Sequence, residues 1–247
     1  ENHLFNQMQF YNSMAQRFPR LAPRLIVIND GHEKGRDYFR EVIKVHRERF
    51  DLVGIDVMKD VGFNSHACRN IGVKQVKTDW MLLMDVDCFE SEGMYKYMRF
   101  FKNLNPDMYY VPKADMEMPE HMGAYELLCP KGIVKYQTHP NTWIMTKEAY
   151  WSTGGYDMEF AGMRHGDQEF FEAIDKDKYE HFLFHPELEE KHKLFIESPN
   201  RTKSYLNQIT EHVGYLNKCV DFVKKRNDNK ERKHKKRLLC FDWQRNV

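Results

Sequence analysis

The chain has 247 residues, of which 41% are hydrophobic and 14% aromatic, which is enough for one large α/β domain with a substantial core. No apolar run approaches the length of a membrane-spanning helix. The five cysteines are scattered, with no C-x-x-C pair, so the sequence indicates neither a zinc knuckle nor a disulfide framework. We therefore expect a reducing, cytoplasmic setting.

The net charge of +1 conceals an asymmetry along the chain. Residues 201–247 hold 13 Lys and Arg against 5 Asp and Glu, whereas residues 1–200 carry an acidic excess. An apolar stripe at helical spacing runs from Leu206 to Val223, and nine Lys and Arg follow in 224–237. We expect one large domain over residues 1–200 and an extension over residues 201–247, made of an amphipathic helix and a basic tail.

Hydrophobic periodicity predicts helices and strands in alternation through most of the first 200 residues. Strands are expected at 25–28, 52–57, 80–84, 108–111, 142–146 and 181–184, and helices from the N-terminus to Pro19 and at 36–50, 62–77, 93–104, 147–152 and 166–173. The order strand, helix, strand, helix, strand implies parallel strands with right-handed crossovers. The sequence thus predicts an α/β fold with a mostly parallel mixed sheet, and a long loop at 112–137.

One apolar strand ends in two aspartates. Trp80–Met84 is followed by Asp85-Val86-Asp87, and residues two apart at a strand end point to the same side. In open α/β sheets the carboxyl edge of the strands is where ligands bind. Paired carboxylates there suit a hard divalent cation, which usually carries phosphate oxygens as further ligands.

Four further motifs accompany this pair in a fixed order. They are Asn29-Asp30-Gly31 after the first strand, Cys68-Arg69-Asn70-Ile71-Gly72 on a helix, Gly154-Gly155-Tyr156-Asp157, and His165-Gly166-Asp167-Gln168-Glu169-Phe170. Together with Asp85-Val86-Asp87 they resemble the motif set of GT-A fold glycosyltransferases, closest to the inverting family 2 type. The resemblance covers about residues 3–185, and it implies that a strand precedes the first visible one, upstream of Glu1.

The resemblance implies a donor side that binds a nucleotide-diphosphate sugar through Mn²⁺ or Mg²⁺. Asp30 would contact the base or ribose, and Arg69 and Asn70 would support the ribose and diphosphate. Asp85 and Asp87 would bind the donor and the cation. A late histidine would complete the metal ligands, and His185, directly after a strand, is better placed for this than His192.

The resemblance also implies an acceptor side. Asp167 would be the general base that deprotonates an acceptor hydroxyl, with Glu169 as the alternative base. Trp143, Gly154 and Gly155 would line the acceptor, which could be a carbohydrate, a lipid-linked sugar or a modified nucleic acid. A plain helix-capping role for Asp167 stays open at this point.

Two positions depart from the family pattern. Gly166 stands where Glu is common, and His32 where Ser is usual.

Two other classes of protein remain open. The basic run 224–237 could bind nucleic acid or an anionic membrane surface at the periphery, around a non-catalytic scaffold. A nucleotidyltransferase would also pair carboxylates at a strand end, but no Gly-rich phosphate loop precedes the strand.

Overall fold

The structure, a computed structural model, describes residues 3–60, 64–86, 88–115, 137–138, 142–161, 166–174, 180–182, 195–197 and 243–246. These residues show a mixed α/β architecture with helices and small sheets. The helix predicted at 206–223 and the basic run 224–237 lie outside the described residues. None of the helices in the described ranges is long and apolar enough to span a membrane.

The described helices begin and end close to the predicted positions. They are α1 (His3–Arg17), α2 (Glu33–His46), α3 (Ser65–Gln75), α4 (Glu92–Tyr97), α5 (Lys147–Ser152) and α6 (Gly166–Ala173), with short 3₁₀ helices at Pro19–Leu21, Met98–Asn103 and Met158–Phe160. The predictions of α5 and α6 are confirmed to the residue. Pro19, which was expected to end the first helix, opens the 3₁₀ turn that follows it.

The described strands form three sheets. They are β1 (Leu25–Asn29), β2 (Leu52–Val57), β3 (Trp80–Leu83), β4 (Phe89–Glu90), β5 (Met108–Tyr110), β6 (Lys113–Asp115), β7 (Gln137–Thr138), β8 (Trp143–Thr146), β9 (Glu180–Phe182), β10 (Phe195–Glu197) and β11 (Trp243–Asn246). The sheet orders are β1-β2-β11, β4-β10-β6-β7 and β3-β8-β5-β9. The strand β6 lies at the start of the stretch that was predicted to be a loop.

The chain divides into two compact units. The first contains the described residues among 1–23, 80–146 and 179–208, and the second those among 24–79, 147–178 and 209–247. In the first unit, Met94, Phe101, Tyr110 and Ile144 form a buried cluster. In the second, Val53, Ile55, Val57 and Ile71 form the core between α3 and the sheet.

The first two predicted strands are parallel, as expected, with Leu25 opposite Leu52 and Asn29 opposite Asp56. The third behaves differently. Trp80–Leu83 pairs antiparallel with β8, in another sheet, and most of the described strand pairs are antiparallel. The expectation of a mostly parallel sheet is therefore wrong for the described strands. The residues that pair with β3 lie 60 or more positions later in the sequence, and such a non-local pairing leaves no trace in the periodicity of either strand.

Helix α2 packs closely on β2 because of a small residue in the strand. A Cβ atom at Gly54 would lie 2.7 Å from two side-chain carbons of Ile43. Every residue of β2 is buried, whereas β1 is half-buried throughout. This close packing fixes the helix against the sheet and, with it, the loop that joins β1 to α2.

Candidate functional site

One face of α3 carries the polar residues of the second unit's candidate site. His66, Arg69 and Asn70 are three and four positions apart, so they lie on the same side of the helix. The sheet-facing side carries Cys68 and Ile71, which pack on the strands. All three polar side chains are at most 9% exposed, so each needs partners within the protein.

Arg69 joins the third and sixth helices through an ion pair. Its Nη1 atom donates to Oδ1 of Asp167, in the first turn of α6. The Arg69 side chain is 8% exposed and that of Asp167 24%, so the carboxylate retains access to solvent. An anionic residue in the first turn also interacts favourably with the helix dipole.

Two aromatic rings fix the guanidinium group in place. The Arg69 guanidinium carbon lies 4.9 Å from the centre of the Tyr156 ring, within cation–π range. Tyr156 in turn stacks on Phe170 of α6, with ring centres 4.3 Å apart and an interplanar angle of 1°. Arg69 is therefore bound to α6 both through the Asp167 carboxylate and through the ring stack.

Asn70 binds the turn that contains the two adjacent glycines. Its Oδ1 atom accepts from the Tyr150 hydroxyl at 2.6 Å and from the Tyr156 backbone amide at 2.8 Å. Its Nδ2 atom donates to the Tyr156 carbonyl at 2.8 Å and to the Met158 sulfur at 3.3 Å. These four bonds use the full capacity of the side-chain amide. The donor contact expected of Asn70 stays a prediction, and it would require one of these bonds to break.

The two glycines have different requirements. Both have positive φ, 84° at Gly154 and 78° at Gly155. A Cβ atom on Gly155 would lie 2.5 Å from Asn70 Oδ1 and 3.0 Å from the ring of Trp151, whereas nothing lies within 4 Å of one on Gly154. Only Gly155 is therefore needed both for its backbone conformation and for space.

Gly166, one of the two positions that depart from the expected motifs, lies against the side chain of His66. A Cβ atom on Gly166 would overlap the His66 ring, which is fully buried against Tyr156 and Phe160. Burial, followed by the charge of Arg69, lowers the pKa of His66 to about 3, so this side chain is neutral. The imidazole of His66 thus fills space that a side chain at position 166 would need.

Asp30 follows β1, and a buried acid supports the residue before it. Asp56 is fully buried, and it accepts from Asn29 Nδ2 at 3.0 Å and from Arg40 Nε at 2.7 Å. Burial raises the pKa of Asp30 above its usual value, and the charge of Asp60 adds to this. Gly31, with φ of 102°, approaches the Lys59 backbone so closely that a Cβ atom would lie 2.5 Å from its carbonyl oxygen.

In the first unit, a tight turn follows β3. The backbone amide of Cys88 donates to the Asp85 carbonyl at 3.1 Å, and Asp85 is half-buried. Trp143 on β8 pairs with Leu83, which lies two residues before Asp85. The Trp143 ring is buried, and its centre lies 5.8 Å from the centre of the Tyr109 ring. The described residues contain no group of three or more potential metal-ligating side chains.

The structure groups some of the predicted site residues and not others. Arg69, Asn70, Gly154, Gly155 and Asp167 form one connected cluster in the second unit. Asp87, His185 and His192 lie outside the described residues. Their roles stay predictions, as do the roles of all the other predicted site residues, the clustered ones included.

Sequence reasoning missed three members of the cluster. Tyr150 and Tyr156 provide the partners of Asn70 and Arg69, and His66 packs on Gly166. The tyrosine inside the Gly-Gly-Tyr-Asp motif and a histidine three residues before the arginine were the available signals. Neither identifies its partner, because each contact joins residues 80 or more positions apart.

Comparison with known families finds a match over the N-terminal part of the chain. Residues 1–109 match a family model described as "Glycosyltransferase like family 2". No curated protein matches the chain. The matched stretch contains Asp30, Arg69, Asn70 and the Asp85-Val86-Asp87 motif, and it ends before Asp167. The N-terminal 109 residues are thus similar to family 2-like glycosyltransferases, and this similarity supports glycosyltransferase activity in general.

Proposed function

We propose that this protein transfers a sugar from a nucleotide-diphosphate sugar to an acceptor hydroxyl, with a divalent cation and with inversion at the anomeric carbon. The observation that carries the proposal is the contact of Arg69 with Asp167. It joins a residue inside the family match to one in a separate downstream motif. The buried ring stack beside this contact indicates that the arrangement is held in place by packing.

The proposal assigns the cation to Asp85, Asp87 and His185. Carboxylate oxygens and an imidazole nitrogen suit Mn²⁺, and carboxylates alone suit Mg²⁺, so the chemistry of these side chains fits the ion. The cation, when bound, would stabilise the negative charge that develops on the leaving diphosphate. The half-buried Asp85, at the turn after β3, is the one member of the set for which the structure describes the surroundings.

The proposal assigns the acceptor proton to Asp167. A hydroxyl is a weak nucleophile until a positioned carboxylate takes its proton, an effect worth roughly 10²–10⁴-fold. The Arg69 guanidinium orients the Asp167 carboxylate through Oδ1, and the partial exposure of the side chain leaves room for an acceptor to approach. Arg69 is thereby a positioning residue for the proposed base.

The proposal is tested with a panel of nucleotide-diphosphate sugars, each incubated with Mn²⁺, Mg²⁺ or EDTA. The measurement is the release of nucleoside diphosphate. We expect release from at least one donor, and we expect EDTA to abolish it. The Asp87→Ala variant should lose this release, whereas Asp79→Ala, an exposed aspartate just before β3, should retain it.

Two results would contradict the proposal. If no donor in the panel releases its nucleoside diphosphate with either cation, the transferase assignment is wrong. If Asp87→Ala turns over at the wild-type rate, the metal assignment is wrong.

A further inference from the structure

Helix α1 contacts the segment that follows β3 at successive turns. Gln7 Nε2 donates to the Cys88 carbonyl oxygen at 3.0 Å, and the Tyr11 hydroxyl donates to Glu90 Oε1 at 2.5 Å. Gln7 and Tyr11 are one helical turn apart and both are buried. One face of α1 therefore binds residues 88–90 through two hydrogen bonds shielded from solvent.

These bonds hold the main chain directly after the Asp85 turn. The Cys88 amide donates to Asp85 and its carbonyl accepts from Gln7, so both polar groups of this residue's backbone are engaged. The Cys88 side chain is itself fully buried. Because two hydrogen bonds and burial restrain Cys88, the turn that begins at Asp85 has a fixed end.

Glu90 adds a second anchor to the same segment. It is 2% exposed, and its Oε1 atom accepts from Tyr11. The next residue, Ser91, caps α4 by accepting from the Met94 amide at 3.1 Å. Substituting Tyr11 would leave a buried carboxyl group without its donor, which is costly enough to move the chain around it.

We propose that α1 is a positioning helix for Asp85: Gln7 and Tyr11 hold residues 88–90, and with them the far end of the turn whose first residue, Asp85, is a proposed cation ligand. This inference rests on the proposed function, since it gives α1 a role in a metal-dependent reaction. Gln7 and Tyr11 act through the backbone of residues 88–90 and do not touch the cation. A displacement of about 1 Å at such a centre is enough to reduce its function strongly.

The test measures Mn²⁺ binding directly, by electron paramagnetic resonance, with the ion alone and in the presence of UDP or GDP. The variants are Gln7→Met and Tyr11→Phe, which remove the donors and keep the approximate volume. Ser13→Ala, on the exposed face of the same helix, is the matched control. Thermal unfolding of each variant shows whether it folds.

We expect both variants to bind Mn²⁺ about tenfold more weakly than the wild type, which corresponds to about 1.4 kcal/mol and lies within the range for the loss of one hydrogen bond. Ser13→Ala should bind like the wild type. Glu90→Gln retains an oxygen acceptor for the Tyr11 hydroxyl, so it should bind more tightly than Glu90→Leu. This last difference would not arise if the pair served the stability of the fold alone.

Two outcomes overturn the inference, and they are distinguishable. Wild-type binding in a folded Tyr11→Phe or Gln7→Met variant overturns the role of α1 and leaves the proposed function intact. Absence of Mn²⁺ binding by the wild type, with and without nucleotide, overturns the metal assignment and the inference together. If Gln7→Met does not fold, Mn²⁺ binding by the isosteric Tyr11→Phe and by the two Glu90 variants decides whether α1 has the proposed role.

Discussion

Arg69 of α3 donates to Asp167 of α6 across 98 positions of sequence, and the same guanidinium group lies over the ring of Tyr156. An arginine fits this place because its planar group can stack on a ring while its N–H groups bind a carboxylate. A lysine ammonium is a point charge that cannot do both in the same way. The geometry therefore depends on the shape of the cation as well as on its charge.

The first prediction concerns this shape. Arg69→Lys keeps the charge but loses the planar group, so Asp167 should lose its orientation. We expect kcat for sugar transfer to fall about tenfold or more while the protein stays folded. The exposed Arg47, substituted by Lys, is the control and should leave kcat unchanged. Equal rates for the two variants would show that Arg69 contributes only charge.

The second prediction concerns Asn70. Asn70→Ala removes the partner of the buried Tyr150 hydroxyl and of the Tyr156 backbone amide and carbonyl. Leaving these groups unpaired should lower the free energy of unfolding by about 2–4 kcal/mol, measured by urea denaturation. Asn12→Ala, at a half-buried position on α1, should change it by less than about 0.5 kcal/mol. A small effect at Asn70 would mean that water replaces its amide.

The third prediction separates the two glycines. Both Gly154→Ala and Gly155→Ala place a side chain at positive φ, which costs about 1 kcal/mol. Gly155→Ala also drives its methyl group into Asn70 and Trp151, so it should unfold at a clearly lower temperature. The comparison uses the melting temperatures of the two variants. Equal melting temperatures would contradict the close approach of Asn70 to the turn.

The fourth prediction is a dependence of stability on pH. Burial raises the pKa of Glu90 to about 7, and the neighbouring Tyr11 and Tyr95 stay neutral because burial raises their pKa values as well. The folded state therefore binds the Glu90 proton more tightly than the unfolded state does. This contribution is fully present below the ordinary pKa of a glutamate, and it is lost as the pH rises through about 7.

The wild type should accordingly lose up to about 3 kcal/mol of stability from this group between roughly pH 4.5 and pH 7, an upper bound for one titrating site. Glu90→Gln has no proton to lose, so its stability relative to the wild type should increase over this range. Urea denaturation at several pH values measures the difference. Parallel pH profiles for the two proteins would show that Glu90 titrates normally.

Local structure was largely predictable from the sequence, because it depends on periodicity within short windows. The strand at Leu52–Val57 and the helix at Gly166–Ala173 have the predicted bounds. The partner of Trp80–Leu83 was not predictable, since an apolar strand of four residues is compatible with a neighbour on either side in either direction. The same limit applies to the short strands β4, β6, β7, β10 and β11, which the sequence did not indicate.

The candidate site was predictable as a set of residues and not as a set of contacts. The motifs singled out Arg69, Asn70 and Asp167, and the structure brings these three together within one unit. The packing of α3 on α5 and α6 decides which contacts form. It pairs Arg69 with Asp167, and it places the Asn70 amide in hydrogen bonds with Tyr150 and Tyr156. Packing of this kind is decided by shape, as at His66 and Gly166, and shape leaves no pattern along the chain.

The most direct test of the central claim compares two acids on the first turn of α6. Asp167→Asn removes the proposed base but keeps an oxygen that can accept from Arg69, and Glu169→Gln removes the alternative base on the same turn. With the donor identified from the panel, we measure sugar transfer to an acceptor together with Mn²⁺–nucleotide binding. We predict that Asp167→Asn loses transfer by roughly 10²–10⁴-fold with unchanged Mn²⁺–nucleotide binding, and that Glu169→Gln transfers like the wild type. Wild-type transfer by Asp167→Asn would contradict the account.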